Sequence, residues 1–223
     1  MEFLRSILWP LTEAMRILLE GLTAVVGGHG VAIMLLSVIV TTLLSPVTKL
    51  ARRYEAADRL RQDRMADGIA EAKATTTGRE RFERIDAIYK EHNYHPIKSM
   101  ASLLPLFVQL PFLLAALFLL TDYPAIQGER FGPIPDLSRP DALVTIASQP
   151  LNVLPILLTL VAVVEALVGP ESTRQSRLRF FVVAVVLLVL IYPLPSAVCL
   201  YWLTSNLMSF LRSLMRRRLS HPN

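Results

Sequence analysis

The chain of 223 residues contains one cysteine, Cys199, which lies within an apolar run. A single cysteine excludes a disulfide framework within the chain. Its four histidines lie outside the long apolar runs, and the sequence has no phosphate-binding loop or nucleophile elbow. His92 and His95 are close enough to share a helix face, but no third metal ligand lies nearby. The sequence therefore predicts a protein that is not an enzyme and has no cofactor or metal.

Charge is missing from several long stretches. Hydrophobic residues make up 53% of the chain, and the stretch from Met100 to Leu120 carries no charged side chain. A helix needs about 20 apolar residues to cross a bilayer core. The net charge of +5 could indicate nucleic-acid binding, but the arginines lie between the apolar runs and at their ends. Membrane topology explains that placement better, so no nucleic-acid partner is expected.

The apolar runs predict an all-α integral membrane protein with five transmembrane helices. In residues 1–28, leucines recur every three or four positions opposite charged side chains, which indicates an amphipathic helix lying in the membrane interface. A signal peptide is the alternative, but polar residues interrupt its apolar region. Residues 29–223 then form a five-span core. The expected spans are residues 31–47, 100–120, 151–168, 180–192 and 196–211.

The basic residues predict the orientation of these spans. Residues 49–98 hold twelve of the 23 lysines and arginines, and basic loops concentrate in the cytoplasm. Residues 49–95 are expected to form a cytoplasmic helical hairpin that turns at Thr75–Gly78. It is either a solvated spacer or a docking surface for the ribosome or a client. The proline-rich residues 122–149 form an external loop, poor in regular structure. The predicted location is the bacterial inner (plasma) membrane, with the N-terminus outside and the C-terminus cytoplasmic.

Polar residues within the spans lie mostly toward the cytoplasmic side. Such groups cost several kcal/mol at membrane depth unless they pair or line a wet cavity. We therefore predict a hydrophilic groove that is open to the cytoplasm and closed outside. Individually, a threonine can bond its own helix, an amide can join two helices, and a glutamate near the interface can reach the headgroups. The predicted groove residues are Thr41, Thr42, Ser45, Gln109, Glu165, Thr204, Ser205 and Asn206.

Several motifs resemble those of the YidC/Oxa/Alb membrane-insertase family. The stretch from His95 to Thr121, HPIKSMASLLPLFVQLPFLLAALFLLT, resembles the second core span of that family, and its Gln109 lies between Pro105 and Pro111. The most specific string is PSAVCLYWLTSN, which ends at Asn206. Further matches are SPVT at 45–48, LPIL at 154–157 and the Gly-Pro pair at 169–170.

This resemblance implies a fold, a function and partners. Five helices would enclose a groove open to the cytoplasm and the lipid, through which hydrophobic segments of nascent membrane proteins enter the bilayer. The implied partners are those clients, the lipid bilayer, and a ribosome or translocon. The sequence departs from the bacterial pattern at Thr41, where relatives carry a basic residue that is thought to attract acidic client tails. With Glu165 in the groove, the expected potential differs in sign. Two functions remain open: an insertase, or a specialised subunit that holds one membrane partner.

Overall fold

The computed structural model describes residues 2–92, 94, 104–146, 148–168 and 174–220. Most of these residues are helical, as the apolar and charged periodicities predict. The helices are α1 (Glu2–Val26), α2 (His29–Leu43), α3 (Ser45–Thr75), α4 (Gly78–Glu91), α5 (Leu104–Thr121), α6 (Val153–Val168), α7 (Arg174–Ile191) and α8 (Ser196–Ser220).

The described chain divides into two compact units. The first contains residues 1–43 and 112–223, and the second contains residues 44–111. In the first unit, α8 packs against both α2 and α6, α6 packs against α7, and α1 packs against α2. Its core contains fully buried side chains from α2 and α8, among them Ile33, Leu36 and Val198.

Helix α1 has two apolar faces. Met15 and Leu19 are buried, whereas Phe3, Ile7 and Ile17 are exposed. Residues 3, 7 and 17 lie on one side of a helix with 3.6 residues per turn, so the exposed side chains form a second apolar stripe. The interfacial position of α1 stays a prediction.

Charged residues of α1 form salt bridges. The Arg5 guanidinium lies 2.8 Å from the Asp122 carboxylate and 5.3 Å from the centre of the Phe118 ring. Further along the helix, Arg16 pairs with Glu13 and Glu20. The hydrogen bonds that the Arg16 guanidinium donates to the Glu13 carboxylate are the main reason why the pKa of Arg16 is raised. The second helix begins where the backbone N–H of His29 donates to Glu129, 2.8 Å away.

Gly30, in the first turn of α2, lies against the segment that follows α5. A Cβ atom added to Gly30 would lie 2.1 Å from Cδ2 of Phe131, which is far inside van der Waals contact. The His29 side chain also contacts the Glu129 carboxylate and meets the Tyr123 ring edge-on. Glycine is required here because only a residue without a side chain allows the Phe131 ring to lie against the helix backbone.

The segment 122–152 contains more regular structure than the sequence predicts. Residues Pro124–Ile126 form a 3₁₀ turn. The strands β1 (Val144–Ile146) and β2 (Gln149–Leu151) pair antiparallel, so the prediction of an exclusively α-helical fold is wrong at this hairpin. The reason is local, because Val144, Thr145 and Ile146 are β-branched residues that favour extended backbone.

Hydrogen bonds join this segment to α6, α7 and α8. The buried Asp141 carboxylate accepts from the backbone N–H of Val153, at 2.6 Å, and so caps the start of α6. The Asn152 amide donates to the carbonyl of Tyr192 just after α7, at 2.9 Å. The Ser196 hydroxyl, at the start of α8, donates to the carbonyl of Arg139 at 2.6 Å.

Helices α3 and α4 contact each other within the second unit. Pro46 lies in the first turn of α3, where its missing N–H costs no helical hydrogen bond. Met65 is buried, and the Ile88 side chain lies 3.4 Å from the position of a Cβ on Gly68. Phe82 on α4 is 72% exposed, so it does not contribute to this apolar contact.

Within the described residues, no single helix is both long and apolar enough to cross a bilayer. The consecutive helices α2 and α3 meet the length and composition criteria only when they are taken as a pair. Shorter apolar helical stretches occur at Phe107–Thr121, Val153–Val164 and Phe181–Ile191. Residues 95–103, which begin the predicted second span, lie outside the described residues.

Candidate functional site

The candidate site begins with a polar seam between α2 and α8. The buried Ser37 hydroxyl donates to the carbonyl of Tyr201, at 2.7 Å. One turn further along, Thr41 Oγ1 lies 3.1 Å from Ser205 Oγ, so these two hydroxyls share a hydrogen bond. The spacing of four residues on both helices keeps these contacts on facing sides. We call Ser37, Thr41, Tyr201 and Ser205 the α2–α8 seam.

A basic side chain extends this seam. Nη1 of Arg212 donates to the backbone carbonyl of Thr41 at 3.1 Å. This carbonyl belongs to the last turn of α2, where the C-terminal carbonyls have no partner within the helix and the helix dipole is negative. The Arg212 guanidinium therefore lies beside Thr41, the position at which this sequence has no basic residue.

The other threonines of the predicted site have simpler environments. Thr204 is buried, and its hydroxyl donates to the Leu200 carbonyl of the same helix at 2.8 Å. The Thr204 hydroxyl thus bonds a carbonyl of its own helix, as any threonine in a span can do. Thr42 is exposed on the last turn of α2. Neither threonine joins the α2–α8 seam through a hydrogen bond within the described part of the chain.

Asn206 lies on a different face of α8 from Ser205. Adjacent helical residues are about 100° apart, so Ser205 points to α2 while Asn206 borders a cavity between α6, α7 and α8. This cavity has a volume of about 140 Å³ and mainly apolar walls. It is lined by Leu158, Thr159, Ala162, Val163, Val183, Ala184, Leu187, Ile191, Trp202 and Asn206. The structure thus separates two residues that the sequence places in one groove.

The remaining predicted site residues are not brought into this seam. Ser45 and Gln109 are both half-buried and belong to the second unit. The backbone of Glu165 lies in α6, but its side chain is outside the described residues. Their roles in a groove stay predictions.

The residues of the site that were not identified from the sequence include Ser37, Thr159, Tyr201, Trp202 and Arg212. Ser37 precedes Thr41 by four positions, so helical spacing was an available signal for it. Arg212 carried no such signal, because the contact with Thr41 joins residues 171 positions apart. Because Arg212 follows the last apolar run, the sequence indicated only a charged residue at the membrane interface.

Comparison with known proteins adds independent information. Residues 21–222 match the model of the 60Kd inner membrane protein family. The chain is 26% identical over 220 residues to the membrane protein insertase YidC of Treponema denticola, covering 92% of this chain and 37% of that protein. It is 26% identical over 204 residues to YidC of Fusobacterium nucleatum, covering 91% of this chain and 92% of that protein. The chain therefore spans about a third of the longer relative but nearly all of the shorter one.

A solved structure shows a similar fold. The structure described as an active YidC insertase, with its first transmembrane domain resolved, matches with a TM-score of 0.59 and 19% sequence identity. The match covers 94% of this chain and 46% of that chain. Because the identity is low, this likeness concerns the fold alone. Together with the family match over residues 21–222, these findings show that the chain belongs to the 60Kd inner membrane protein family, the family of the YidC membrane protein insertases.

Proposed function

We propose that the chain is a membrane protein insertase, which receives hydrophobic segments of nascent membrane proteins in a hydrophilic groove and releases them into the bilayer. Family membership supports this function, and so do the names of the relatives. The clients, the lipid bilayer and a ribosome or translocon are the proposed partners. The chemistry requires no bond to be made or broken, and the protein acts by lowering the cost of moving a segment from water into lipid.

We propose five spans in an inner membrane, with the N-terminus outside and the C-terminus in the cytoplasm. Residues 1–28 lie in the outer interface, 49–95 form a cytoplasmic helical hairpin, and 122–149 lie outside. The distribution of basic residues supports this orientation. The exposed apolar side chains of α7 support a lipid-facing fourth span, since Val182, Val186 and Val189 are all more than half exposed.

The observation that carries the proposal is the α2–α8 seam, where hydroxyls and a guanidinium meet between two mainly apolar helices. The Thr41 hydroxyl shares a hydrogen bond with the Ser205 hydroxyl, and the Thr41 carbonyl accepts one from Arg212. In a purely structural interface between spans, such groups carry a desolvation cost that apolar packing avoids. Their presence between α2 and α8 supports a polar passage. Of the residues predicted from the sequence, Thr41 and Ser205 belong to this proposed passage.

Arg212 places a guanidinium beside the last turn of α2, in the proposed passage. The guanidinium remains charged at any physiological pH, and it lies against the negative end of the α2 dipole. A cation in a partly desolvated site attracts carboxylates more strongly than one in water. We therefore propose that the groove accepts clients with acidic tails despite the threonine at position 41.

Reconstitution tests this function directly. Proteoliposomes containing the purified chain should insert a single-span client with a short translocated tail, measured as the fraction of tail protected from added protease. The control is an equal quantity of empty liposomes, because some hydrophobic segments insert without assistance. Protection that is no greater than in empty liposomes would overturn the proposal and favour a specialised subunit that holds one partner.

A further inference from the structure

The first half of α3 carries arginines and large apolar side chains together on one exposed face. Consecutive helical residues are about 100° apart, so six positions between 50 and 64 fall within a sector of about 120°. The apolar members are more than half exposed, at 52% for Leu50, 58% for Tyr54 and 60% for Leu60. We call the six exposed residues the α3 basic face: Leu50, Arg53, Tyr54, Leu60, Arg61 and Arg64.

The three arginines of this face have no counter-charge on their own side of the helix. Within the described part of the chain, their side chains form no salt bridge. A guanidinium stays charged at any physiological pH, so the face is positive. The acidic positions of the same stretch fall on other sides of α3; they are 55, 58 and 63.

Packing within the second unit leaves the basic face open. Ala51, Asp58, Met65 and Ala72 are buried at intervals of seven residues, which is close to two helical turns. These four positions therefore mark the side of α3 that is packed in this unit. That side is about 100° away from the centre of the basic face. The exposed leucines and tyrosine are thus not left over from the contact between α3 and α4.

The composition of the face fits the surface of an anionic membrane. Anionic headgroups attract arginines, while leucine and tyrosine side chains enter the boundary between the headgroups and the acyl chains. A nucleic acid would pair with the guanidiniums through its phosphates but would leave the two leucines in water. The position in the chain agrees with a lipid occupant. Leu50 lies about 8 Å along α3 from Ser45, and α3 follows the first proposed span.

We propose that the α3 basic face binds anionic phospholipids of the cytoplasmic leaflet, with its arginines at the headgroups and its apolar side chains just below them. The proposal rests on the cytoplasmic position proposed for residues 49–95. It gives the helical hairpin a membrane contact of its own, besides the spans. The charge of the lipid then determines whether the first half of α3 lies on the membrane surface or stands free in the cytoplasm.

The test places an environment-sensitive fluorophore at A57C, an exposed position in the middle of the face, in the full chain reconstituted in nanodiscs. Cys199 is buried and should stay unlabelled. Quenching by a lipid with a spin label on its headgroup reports contact with the membrane. We expect stronger quenching when phosphatidylglycerol is present than in phosphatidylcholine alone. R53Q/R61Q should lower the ratio of membrane-bound to free face by about tenfold.

Two further variants separate the lipid contact from charge alone. K73Q/R79Q is the matched control, because it removes two exposed positive charges elsewhere in the second unit and should leave quenching unchanged. L50Q/L60Q keeps every charge and removes the apolar contact, so it should also reduce quenching. If K73Q/R79Q reduced quenching as much as R53Q/R61Q, or if L50Q/L60Q had no effect, the proposal would be overturned.

The remaining outcomes are equally decisive. Equal quenching in the two lipid mixtures would overturn the proposal. A fluorescence change that requires added ribosomes would also overturn it and would assign the face to nucleic acid. Client insertion in proteoliposomes of the same lipids is measured separately. Insertion without lipid-dependent quenching would leave the insertase function standing, whereas lipid-dependent quenching without insertion would overturn that function and leave the lipid contact standing.

Discussion

Thr41 Oγ1 and Ser205 Oγ lie 3.1 Å apart across the interface of α2 and α8. This bond joins two helices that are far apart in the sequence and are in direct contact in the first unit. One of the partners, Ser205, is buried, so its hydroxyl has little access to water if the bond is broken. The seam therefore combines a structural contact with the polar surface that the proposed function needs.

Removing one hydroxyl of this pair should weaken the interface. We expect T41V or S205A each to lower the free energy of unfolding by about 1 kcal/mol. The double variant should cost less than the sum of the two, because the second substitution removes a group that has already lost its partner. Thermal unfolding in detergent measures this coupling. T42V is the control, since Thr42 is exposed and should show a smaller effect.

The charge of Arg212 should determine the preference for acidic clients. We expect R212Q to slow insertion of a client with an acidic tail by about threefold to tenfold, and to leave a neutral tail nearly unaffected. R212K should retain most of the rate because it keeps the charge. T41R in the R212Q background should restore it, since a cation returns to the same end of α2. Equal losses for both tails would show that Arg212 acts only as a structural cap.

Gly30 offers a steric test. G30A would place a methyl group 2.1 Å from Cδ2 of Phe131, and we expect a loss of about 1–3 kcal/mol in the free energy of unfolding. The additional substitution F131A should recover part of that loss by removing the ring. G21A is the matched control, because nothing lies within 4 Å of a Cβ at that helical position. It should be neutral or slightly stabilising.

Asp136 should make the segment 122–152 sensitive to acid. Hydrogen bonds from the Ser138 hydroxyl, and then from the backbone N–H groups of Ser138 and Gly128, lower the pKa of this carboxyl below its ordinary value of 3.8. A carboxyl whose pKa is lower in the folded state contributes stability above its unfolded pKa. That contribution is lost as the pH falls below about 3.8 toward the folded pKa.

The melting temperature of the unmodified chain should therefore decrease more steeply below pH 4 than that of D136N. S138A should lie between the two, because it removes one of the bonds that lower the pKa. Parallel curves for the unmodified chain and D136N would contradict this account.

The proposed topology can be tested by cysteine labelling. The Arg79 side chain at the start of α4 is 92% exposed, so R79C provides an accessible thiol. A membrane-impermeant maleimide should label it only after the inner membrane is opened, whereas Q149C should react in cells whose inner membrane is intact. Cys199 is buried and serves as the unlabelled reference. Labelling of R79C from outside would reverse the predicted orientation.

The helices were largely predictable because their signals are local. Apolar runs and charge positions located α1, α2 and α6 to within a few residues. The β1–β2 hairpin was missed because each strand has three residues, too few for a period of two to be recognised. The family resemblance was confirmed by the comparisons.

The site was less predictable because its contacts are not local. Thr41 and Ser205 were both selected for their polarity, yet nothing in the sequence indicated that they are bonded. Asn206, one residue away, belongs to another surface, since helix rotation separates neighbours that appear equivalent in a sequence. The contact between Thr41 and Arg212 could be identified only from the fold.

The hydrogen bonds of Asp141, Asn152 and Ser196 have a mechanical consequence. They tie α6, the end of α7 and the start of α8 to one segment, all at the same end of these helices. The opposite ends carry no such strap within the described residues. If a client separates these helices, we expect the gap to be narrowest at the hydrogen-bonded end and widest at the opposite end.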